Sequence, residues 1–230
     1  MLKIKTPILG INPKSYMYGD RLLEIAKYAD KLAERFDITI TFSAPYVDLA
    51  NLVKETQHLI ITAQGMDGIT VGRGMGAVLP ESLVNIGVKG VTINHAERPM
   101  TTSQLVRAVY RAKELGLNVS VCADSIEEAR MIATLKPTFM VCEPTSLIGT
   151  GITADKEYMI ETKKAIKEVC SDIIVFQGAG TKDGKDVYNA IKNGAEGTGG
   201  SSGIFCSSNP KAVIRDMVEA LIQAKNDFCL

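Results

Sequence analysis

The sequence predicts a single (β/α)8 barrel, with eight parallel strands each followed by a helix, in one domain that spans residues 1–230. Three observations lead to this prediction. Eight short β-branched and apolar runs alternate with eight amphipathic stretches, which is the pattern of repeated β–α units. Most of these runs are continuously apolar, as in parallel strands that are covered on both faces. No linker or change in composition divides the chain.

The predicted strands are short runs rich in Val, Ile, Thr and Phe, which favour extended backbone. The last run, EGTGGSS, is rich in glycine and is the least strand-like of the eight. The predicted strands cover residues 7–12, 38–44, 59–64, 90–95, 118–123, 138–143, 172–180 and 196–202.

The stretches between the strands have the apolar period of helices. In the first of them, Leu22, Ile25, Ala29 and Leu32 fall on one stripe. Gly116 is placed to cap the C-terminus of the fourth helix, and the Ser125-Ile126-Glu127-Glu128 run predicts a capping box at the start of the fifth. The predicted helices cover residues 20–36, 46–55, 80–87, 102–115, 125–135, 155–170, 184–193 and 209–226.

An open, doubly wound sheet is the alternative arrangement of these elements. That fold binds dinucleotides through a GxGxxG turn after the first strand and an acidic residue that holds the ribose. The first strand here is followed by Asn12-Pro13-Lys14, and neither feature is present. The barrel is therefore the preferred prediction.

Composition and charge exclude several classes of function. The 26 basic and 26 acidic residues balance, so no net field attracts nucleic acid or an anionic membrane. No apolar stretch reaches the ~20 residues of a spanning helix, and the apolar run before Asn12 is too short for a secretory signal. The five cysteines are odd in number and never spaced as CxxC, which favours reduced thiols in a cytosol. We expect a soluble, cytoplasmic protein.

Polar residues lie where several predicted strands end. Asn12 and Lys14 end the first strand, His95 and Glu97 end the fourth, and Glu143 ends the sixth. Active sites of (β/α)8 barrels form at the carboxyl ends of the strands, so these side chains are expected to share one rim. Each residue alone has a simpler explanation than catalysis, since a lysine at a strand end is often only solvated and a histidine is often a hydrogen-bonded core or surface group. Their combination on one rim favours a catalytic site.

These groups suit the chemistry of a small phosphorylated sugar. Glycine-rich turns at 178–181 and 199–203 leave backbone N–H groups free to hold a phosphate. Glu143 at the end of an apolar strand is a partly desolvated base. His95 can donate to a carbonyl oxygen, and Lys14 can neutralise an oxyanion. The segment 144–152 has the composition of a lid, with a plain β–α loop as its alternative. Proton abstraction next to a carbonyl is therefore predicted.

Five segments resemble triosephosphate isomerases, in particular their compact archaeal branch: NPK (12–14), NHAER (94–98), CEPTSLIGTG (142–151), GAGTKDGKDV (178–187) and EGTGGSSGIF (196–205). The resemblance runs along the whole chain, and CEPxxLIGTG is its most specific part. It implies a TIM barrel that interconverts dihydroxyacetone phosphate and D-glyceraldehyde 3-phosphate in glycolysis and gluconeogenesis, without a cofactor or a metal.

The resemblance also implies roles for individual residues. Glu143 would move the proton between carbons, and His95 would act on the oxygens as the electrophile. Lys14 would stabilise negative charge, and Asn12 would contact the substrate. Glu97 would lie at the floor of the site, with a structural ion pair to Arg98 as the alternative. The phosphate would be bound by Ile148, Gly149, Gly180, Thr181, Ser201 and Ser202.

The sequence departs from the family pattern in three places. Ala96 stands where the family has a serine that supports the lid glutamate. The eighth strand has glycines at Gly199 and Gly200, which are expected to loosen the phosphate site. The loop 65–80, through which the family assembles, has the tip Gly74-Met75-Gly76. A homo-oligomer, a dimer or a tetramer, is expected to form through this loop.

Two other functions remain open on the residues alone. Other phosphosugar barrels, such as phosphoribosyl isomerases or synthases of tryptophan and thiamine biosynthesis, share the phosphate turns but lack the NHxER and CEPxxLIGTG pair. A barrel that binds phosphate without catalysis would be expected to have lost Lys14, His95 or Glu143, and all three are present.

Overall fold

The computed structural model describes residues 4–228, and its centre is a closed barrel of eight parallel strands. The strands follow one another around the barrel in chain order, and β8 pairs with β1 to close it. This closure confirms the predicted barrel and excludes the open sheet. The strands are β1 (Ile8–Ile11), β2 (Ile40–Ala44), β3 (Leu59–Ala63), β4 (Gly90–Ile93), β5 (Asn118–Ala123), β6 (Phe139–Cys142), β7 (Ile174–Gln177) and β8 (Gly197–Gly200).

A helix follows every strand, and the helices surround the barrel. None of the helices within residues 4–228 is long and apolar enough to cross a membrane. The helices are α1 (Gly19–Phe36), α2 (Tyr46–Glu55), α3 (Pro80–Asn85), α4 (Thr102–Glu114), α5 (Ile126–Ala133), α6 (Lys156–Val169), α7 (Gly184–Lys192), α8 (Ser202–Phe205) and α9 (Pro210–Asp227).

The glycine-rich run forms β8 because it has partners on both sides. Gly197 pairs with Ile8 of β1 and with Phe176 of β7. The prediction of an eighth strand is therefore confirmed, although its residues favour extended backbone weakly. The short helix α8, between β8 and the predicted last helix, was not predicted as a separate element.

Helix capping differs from the prediction at α5. The Ser125 hydroxyl accepts the N–H of Glu128 at 3.2 Å, but Glu128 Oε2 accepts the N–H of Asp124 at 2.7 Å. The reciprocal bond to the N-cap N–H is therefore absent among the described contacts, and the full capping box predicted there is wrong. A complete capping box instead opens α4, where Thr101 and Gln104 bond each other.

Two apolar clusters hold the barrel and helices together. The larger one lies between the strands and the inner faces of the helices, where Leu22 and Ala26 of α1 are fully buried. The smaller one consists of Ile8, Phe139 and Phe176 inside the barrel. The two phenylalanine rings pack edge to face, with their centroids 5.6 Å apart. This smaller cluster closes the interior towards the end at which β1 and β6 begin.

Candidate active site

A cavity of about 560 Å³ opens at the carboxyl ends of the strands. The structure brings together around it all of the site residues selected from the sequence. They are Asn12, Lys14, His95, Glu97, Glu143, Ile148, Gly149, Gly180, Thr181, Ser201 and Ser202. Lys14, His95 and Glu143 come from the loops after β1, β4 and β6, which are distant in the chain.

Lys14 has an unusual backbone that neighbouring side chains hold in place. Its φ of 47° is in the left-handed region, which costs a residue with a side chain roughly 1–2 kcal/mol. The Asn12 amide oxygen accepts the Lys14 N–H at 2.9 Å. Gln64 donates to that same oxygen and to the Lys14 carbonyl, both at 3.0 Å. These bonds offset the strain and aim the lysine into the cavity.

The ammonium of Lys14 is paired with Glu97. Lys14 Nζ lies 2.6 Å from Glu97 Oε1, and only 19% of the lysine side chain is exposed. Partial burial raises the pKa of Glu97, but the hydrogen bond and charge of Lys14 outweigh it and leave that pKa below its ordinary value. Arg98 lies 3.8 Å from Asp67. Glu97 therefore pairs with Lys14, and the alternative of a Glu97–Arg98 ion pair is wrong.

His95 is held as a neutral imidazole with its proton on Nε2. Its Nδ1 accepts the backbone N–H of Glu97 at 3.1 Å, so Nδ1 carries a lone pair and Nε2 carries the hydrogen. Burial lowers the pKa of His95, and the positive charge of Lys14 lowers it further. The site therefore presents an N–H donor, not an imidazolium, at neutral pH.

Glu143 directly follows β6 and faces His95. Its Oε2 lies 3.8 Å from His95 Nε2, and both side chains are 17% exposed. Burial raises the pKa of Glu143, while the charge of Lys14 opposes that rise. A carboxylate with a raised pKa is a stronger base, as the sequence predicted. Room for it comes from Gly178, where an added Cβ would lie 2.3 Å from Glu143 Oε1.

The turn after β7 meets the end of the predicted lid beside the cavity. Gly180 has a φ of 73°, and a Cβ there would lie 2.2 Å from the Ile152 carbonyl at the end of the lid. Within residues 4–228, the N–H groups of Gly149 and Gly180 donate no hydrogen bond. The Ser201 hydroxyl is buried and has no partner in the same part of the chain. These groups are free to bind an anion.

The segment 144–152 starts with a single 3₁₀ turn, Thr145–Leu147, after Pro144. The Thr145 N–H donates to the Asp124 carboxylate, which ties the start of the segment to the loop after β5. Gly149 and Gly151 both have positive φ angles, of 79° and 73°. Gly149, Thr150, Gly151 and Ile152 are exposed. A segment fixed at one end and exposed at its tip fits the predicted lid.

Two residues that position the site were not selected from the sequence. Gln64 follows β3 directly, so the rule that selected Asn12 after β1 would have found it. Asn94 has a φ of 58°, and its side chain donates to the Cys122 carbonyl at 3.1 Å and to Glu128 at 3.0 Å. These bonds fix the backbone on which His95 stands.

The remaining histidine has a partner on the surface, and two of the cysteines are buried. His58 lies 3.5 Å from Glu34 on the outer surface, so it has a partner that the sequence did not suggest. Cys122 and Cys142 are buried, as predicted. Burial raises the pKa of Cys142 to about 12, which keeps its thiol protonated and unreactive. Cys170 and Cys206 are also free thiols, and Cys229 lies outside the described residues.

The loop 65–80 projects from the barrel after β3. Its base is closed by hydrogen bonds between Asp67 and Val78, at 3.0 Å from the Asp67 N–H and 2.7 Å to its carboxylate. Its tip carries apolar side chains into solvent, since Val71 is 74% exposed and Met75 fully exposed. Exposed apolar side chains on a braced loop are typical of an interaction surface.

Comparison with known proteins finds relatives along almost the whole chain. The profile of a family described as triosephosphate isomerase matches residues 7–205. A triosephosphate isomerase from Sulfurisphaera tokodaii is 35% identical over 96% of this chain and 98% of its own. One from Methanocaldococcus jannaschii is 37% identical over 92% and 99%. One from Methanobacterium bryantii is 34% identical over 94% and 98%.

Proposed function

Because the chain belongs to the triosephosphate isomerase family, we propose that Lys14, His95 and Glu143 interconvert dihydroxyacetone phosphate and D-glyceraldehyde 3-phosphate in this cavity. This is a step of glycolysis and gluconeogenesis. The observation that carries the assignment is the convergence of these three side chains, from three separate strands, on one cavity with free anion-binding groups. The relatives reported above all bear the name triosephosphate isomerase.

Glu143 acts as the base in the proposed mechanism. Its carboxylate removes a proton from C1 of dihydroxyacetone phosphate and returns it to C2, which yields the aldehyde. Support comes from its raised pKa, which follows from burial, and from its position beside His95. General base catalysis of this kind is typically worth about 10²–10⁴-fold in rate.

His95 and Lys14 stabilise the enediolate that forms between the two proton transfers. The Nε2–H of His95 donates to the carbonyl oxygen, and it passes the proton between the two oxygens as the carbonyl moves. Lys14 places a positive charge beside the same oxygens, and Asn12 holds Lys14 and contacts the substrate. Donors that are fixed before the reaction stabilise such charge strongly in a partly buried site.

The phosphate is bound at the turns after β7 and β8 under the lid. We assign its binding to the backbone of Ile148, Gly149, Gly180 and Thr181 and to Ser201 and Ser202. The buried Ser201 hydroxyl without a described partner supports this assignment, because a buried polar group requires one. Closure of the lid excludes water, which prevents the enediolate from losing its phosphate.

The wider organisation of the protein is also a proposal. We infer one (β/α)8 domain over residues 1–230 and a cytoplasmic location. We further infer a homo-oligomer, a dimer or a tetramer, that forms through the loop 65–80. The exposed Val71 and Met75 at its tip support an apolar contact with a second copy. Sedimentation of the wild type and of Met75→Glu tests this inference, and assembly unaffected by the charge would contradict it.

A coupled assay tests the proposed activity. The purified chain is mixed with D-glyceraldehyde 3-phosphate, and dihydroxyacetone phosphate is followed through its reduction by a second enzyme. We expect rapid turnover that saturates with substrate. Lys14→Met and His95→Gln are expected to lower kcat/KM by at least about 10²-fold each. Wild-type protein that folds but gives no product would refute the proposal.

A further inference from the structure

The cavity continues from the catalytic rim deep into the barrel. Below the rim it is lined by polar side chains of β2, β3, β4 and β5, which we call the lower chamber: Thr41, Ser43, Thr62, Thr92, Asn118 and Ser120. The interior of a (β/α)8 barrel is ordinarily filled by bulky branched apolar side chains. In this barrel, small hydroxyl-bearing residues and an amide occupy those positions on half of the strands.

The hydroxyls of the lower chamber are available to a ligand. Thr41, Ser43, Thr92 and Ser120 form no side-chain hydrogen bond to any other residue in the range 4–228. Thr41, Thr92 and Ser120 also retain part of their accessible surface, although they lie on the inner faces of barrel strands. Polar groups inside a protein are usually satisfied, so these hydroxyls can bind a polar group that enters the cavity.

The cavity is larger than a triose phosphate requires. Such a substrate has about ten non-hydrogen atoms, and at no more than ~30 Å³ per atom, the share of a water molecule in the liquid, it fills at most roughly 300 Å³. The cavity measures about 560 Å³. The cavity therefore has room for more atoms than a triose phosphate contains.

The positions of the groups fix which end of a ligand enters the chamber. The phosphate site lies at the turns after β7 and β8, and the chamber lies on β2 to β5. Lys14 and Glu143 follow β1 and β6, the strands that separate the two regions, and His95 follows β4 on the rim above the chamber. A substrate held by its phosphate, with its carbonyl at His95, therefore has its far end directed towards the chamber.

The chamber is neutral, which restricts the chemistry of what enters it. The side chains that define it are hydroxyls and one amide, and the uncharged side chains of Phe139, Val141 and Phe176 line the same cavity. The hydroxyls can satisfy alcohol groups by hydrogen bonds. A second phosphate or a carboxylate would lose its hydration there without a compensating charge. Added hydroxymethyl groups suit the chamber, and added charge does not.

We propose that the lower chamber admits a hydroxylated extension on the carbonyl side of the substrate, so that the enzyme also isomerises phosphorylated ketoses longer than a triose. This inference rests on the proposed function, since it uses the same base, donor and phosphate site. The simplest such substrate is a tetrulose 4-phosphate, which carries one hydroxymethyl group on the carbonyl carbon. Its product is the corresponding tetrulose 1-phosphate.

The reaction is balanced without any further reactant. Glu143 removes the hydrogen from the hydroxyl-bearing carbon next to the carbonyl, and an enediolate forms across the two carbons. The proton returns to the former carbonyl carbon, whose oxygen gains hydrogen through His95. The neighbouring hydroxyl loses its hydrogen and becomes the new carbonyl. The added hydroxymethyl group keeps all of its bonds.

The test compares two substrates on the purified full-length chain. Isomerisation of tetrulose 4-phosphate is followed by phosphorus NMR, and glyceraldehyde 3-phosphate is assayed in parallel. We expect both substrates to be converted, with saturation. Ser120→Met fills the chamber with a flexible apolar chain and is expected to lower kcat/KM for the tetrulose at least ~10-fold, while the triose stays within ~3-fold of wild type. Ser120→Thr, which keeps the hydroxyl, serves as the control.

Each outcome decides between the two claims. Conversion of the triose without measurable conversion of the tetrulose overturns the chamber inference and leaves the proposed function intact. Conversion of neither overturns both. An equal loss on both substrates in Ser120→Met also overturns the inference. If Ser120→Met does not fold, Thr92→Val serves as a second variant, because it removes one hydroxyl with little change of shape. Loss of one hydrogen bond is expected to lower kcat/KM for the tetrulose about 5-fold. An unchanged kcat/KM for the tetrulose in Thr92→Val would contradict the proposal.

Discussion

Replacing Gly178 with alanine displaces the proposed base without touching any other catalytic group. A Cβ at this position would lie 2.3 Å from Glu143 Oε1 and 3.0 Å from its Cδ. Non-bonded heavy atoms are comfortable at roughly 3.3–4.0 Å, so the carboxylate must retreat by about 1 Å. The collision involves the end of a side chain, and Gly178 has an ordinary backbone conformation. The fold should therefore survive.

The expected loss of rate follows from that displacement. A misplacement of ~1 Å at a reacting group costs about 10²-fold, which corresponds to ~2.7 kcal/mol in the activation free energy. We expect kcat for the triose to fall by about this factor in Gly178→Ala. KM should change little, because the atoms nearest to the added Cβ belong to Glu143 and not to Gly180 or Thr181, the residues of this turn that are assigned to the phosphate.

The assay needs a matched glycine as its control. Gly10 also lines the cavity, but a Cβ there would meet no atom closer than 3.5 Å. Gly10→Ala is therefore expected to keep kcat within ~3-fold of the wild type, and circular dichroism checks the fold of both variants. A folded Gly178→Ala variant with a kcat close to the wild type would refute the placement of Glu143 as the base.

Three further predictions follow from the contacts around the site. Gln64→Leu removes two hydrogen bonds at 3.0 Å that hold Asn12 and Lys14, so at ~1 kcal/mol each kcat/KM should fall at least ~10-fold. The control Gln57→Leu, at an exposed position, should leave kcat/KM unchanged, and equal losses in both variants would contradict a positioning role for Gln64. In a carbon NMR titration the Glu143 carboxyl should ionise above its ordinary pKa of 4.5 because burial raises this pKa, and higher still in Lys14→Met because Lys14 lowers it. Since the base must be ionised, activity should fall as the pH drops through the pKa of Glu143. A lower pKa of Glu143 in Lys14→Met would contradict the assignment. Removal of residues 145–150 should release inorganic phosphate from the triose because the enediolate meets water, and unchanged product purity would remove the lid role.

The order and type of the main elements could be predicted because the apolar period along the chain is strong. The first seven of the eight predicted strands differ in period from the eight amphipathic stretches, and each of these elements appears where it was expected. The glycine-rich eighth strand carried a weaker signal. The ends were less predictable. The run 172–180 was expected to be one strand, but β7 ends at Gln177 because Gly178-Ala179-Gly180 turns into the phosphate site.

The position of the proposed catalytic residues on one rim could also be predicted from the sequence, since residues that follow parallel strands must share one end of a barrel. Lys14, His95 and Glu143 were found by this rule alone. The role of Gln64 was missed because its hydrogen-bond acceptors, the Asn12 side chain and the Lys14 carbonyl, lie about fifty residues away in the chain. Such contacts depend on the register between β1 and its neighbours, and local patterns do not specify it.

The lower chamber was not predicted because threonine is a good strand former on either face of a sheet. Thr41, Thr62 and Thr92 fit the pattern of a buried strand whether they face the helices or the barrel interior. Only the closed barrel assigns them to the interior. The same residues then change the expected contents of the barrel from packed side chains to a polar space.

The most direct test of the central claim is the exchange of carbon-bound hydrogen in heavy water. Wild-type protein is incubated with dihydroxyacetone phosphate in D₂O, and deuterium on carbon is followed by proton NMR, beside Glu143→Gln. If Lys14, His95 and Glu143 form one site, we expect rapid deuterium incorporation by the wild type. The folded variant should lose at least ~10³-fold, since the proposed base can no longer accept the proton. Incorporation by Glu143→Gln at the wild-type rate would contradict it.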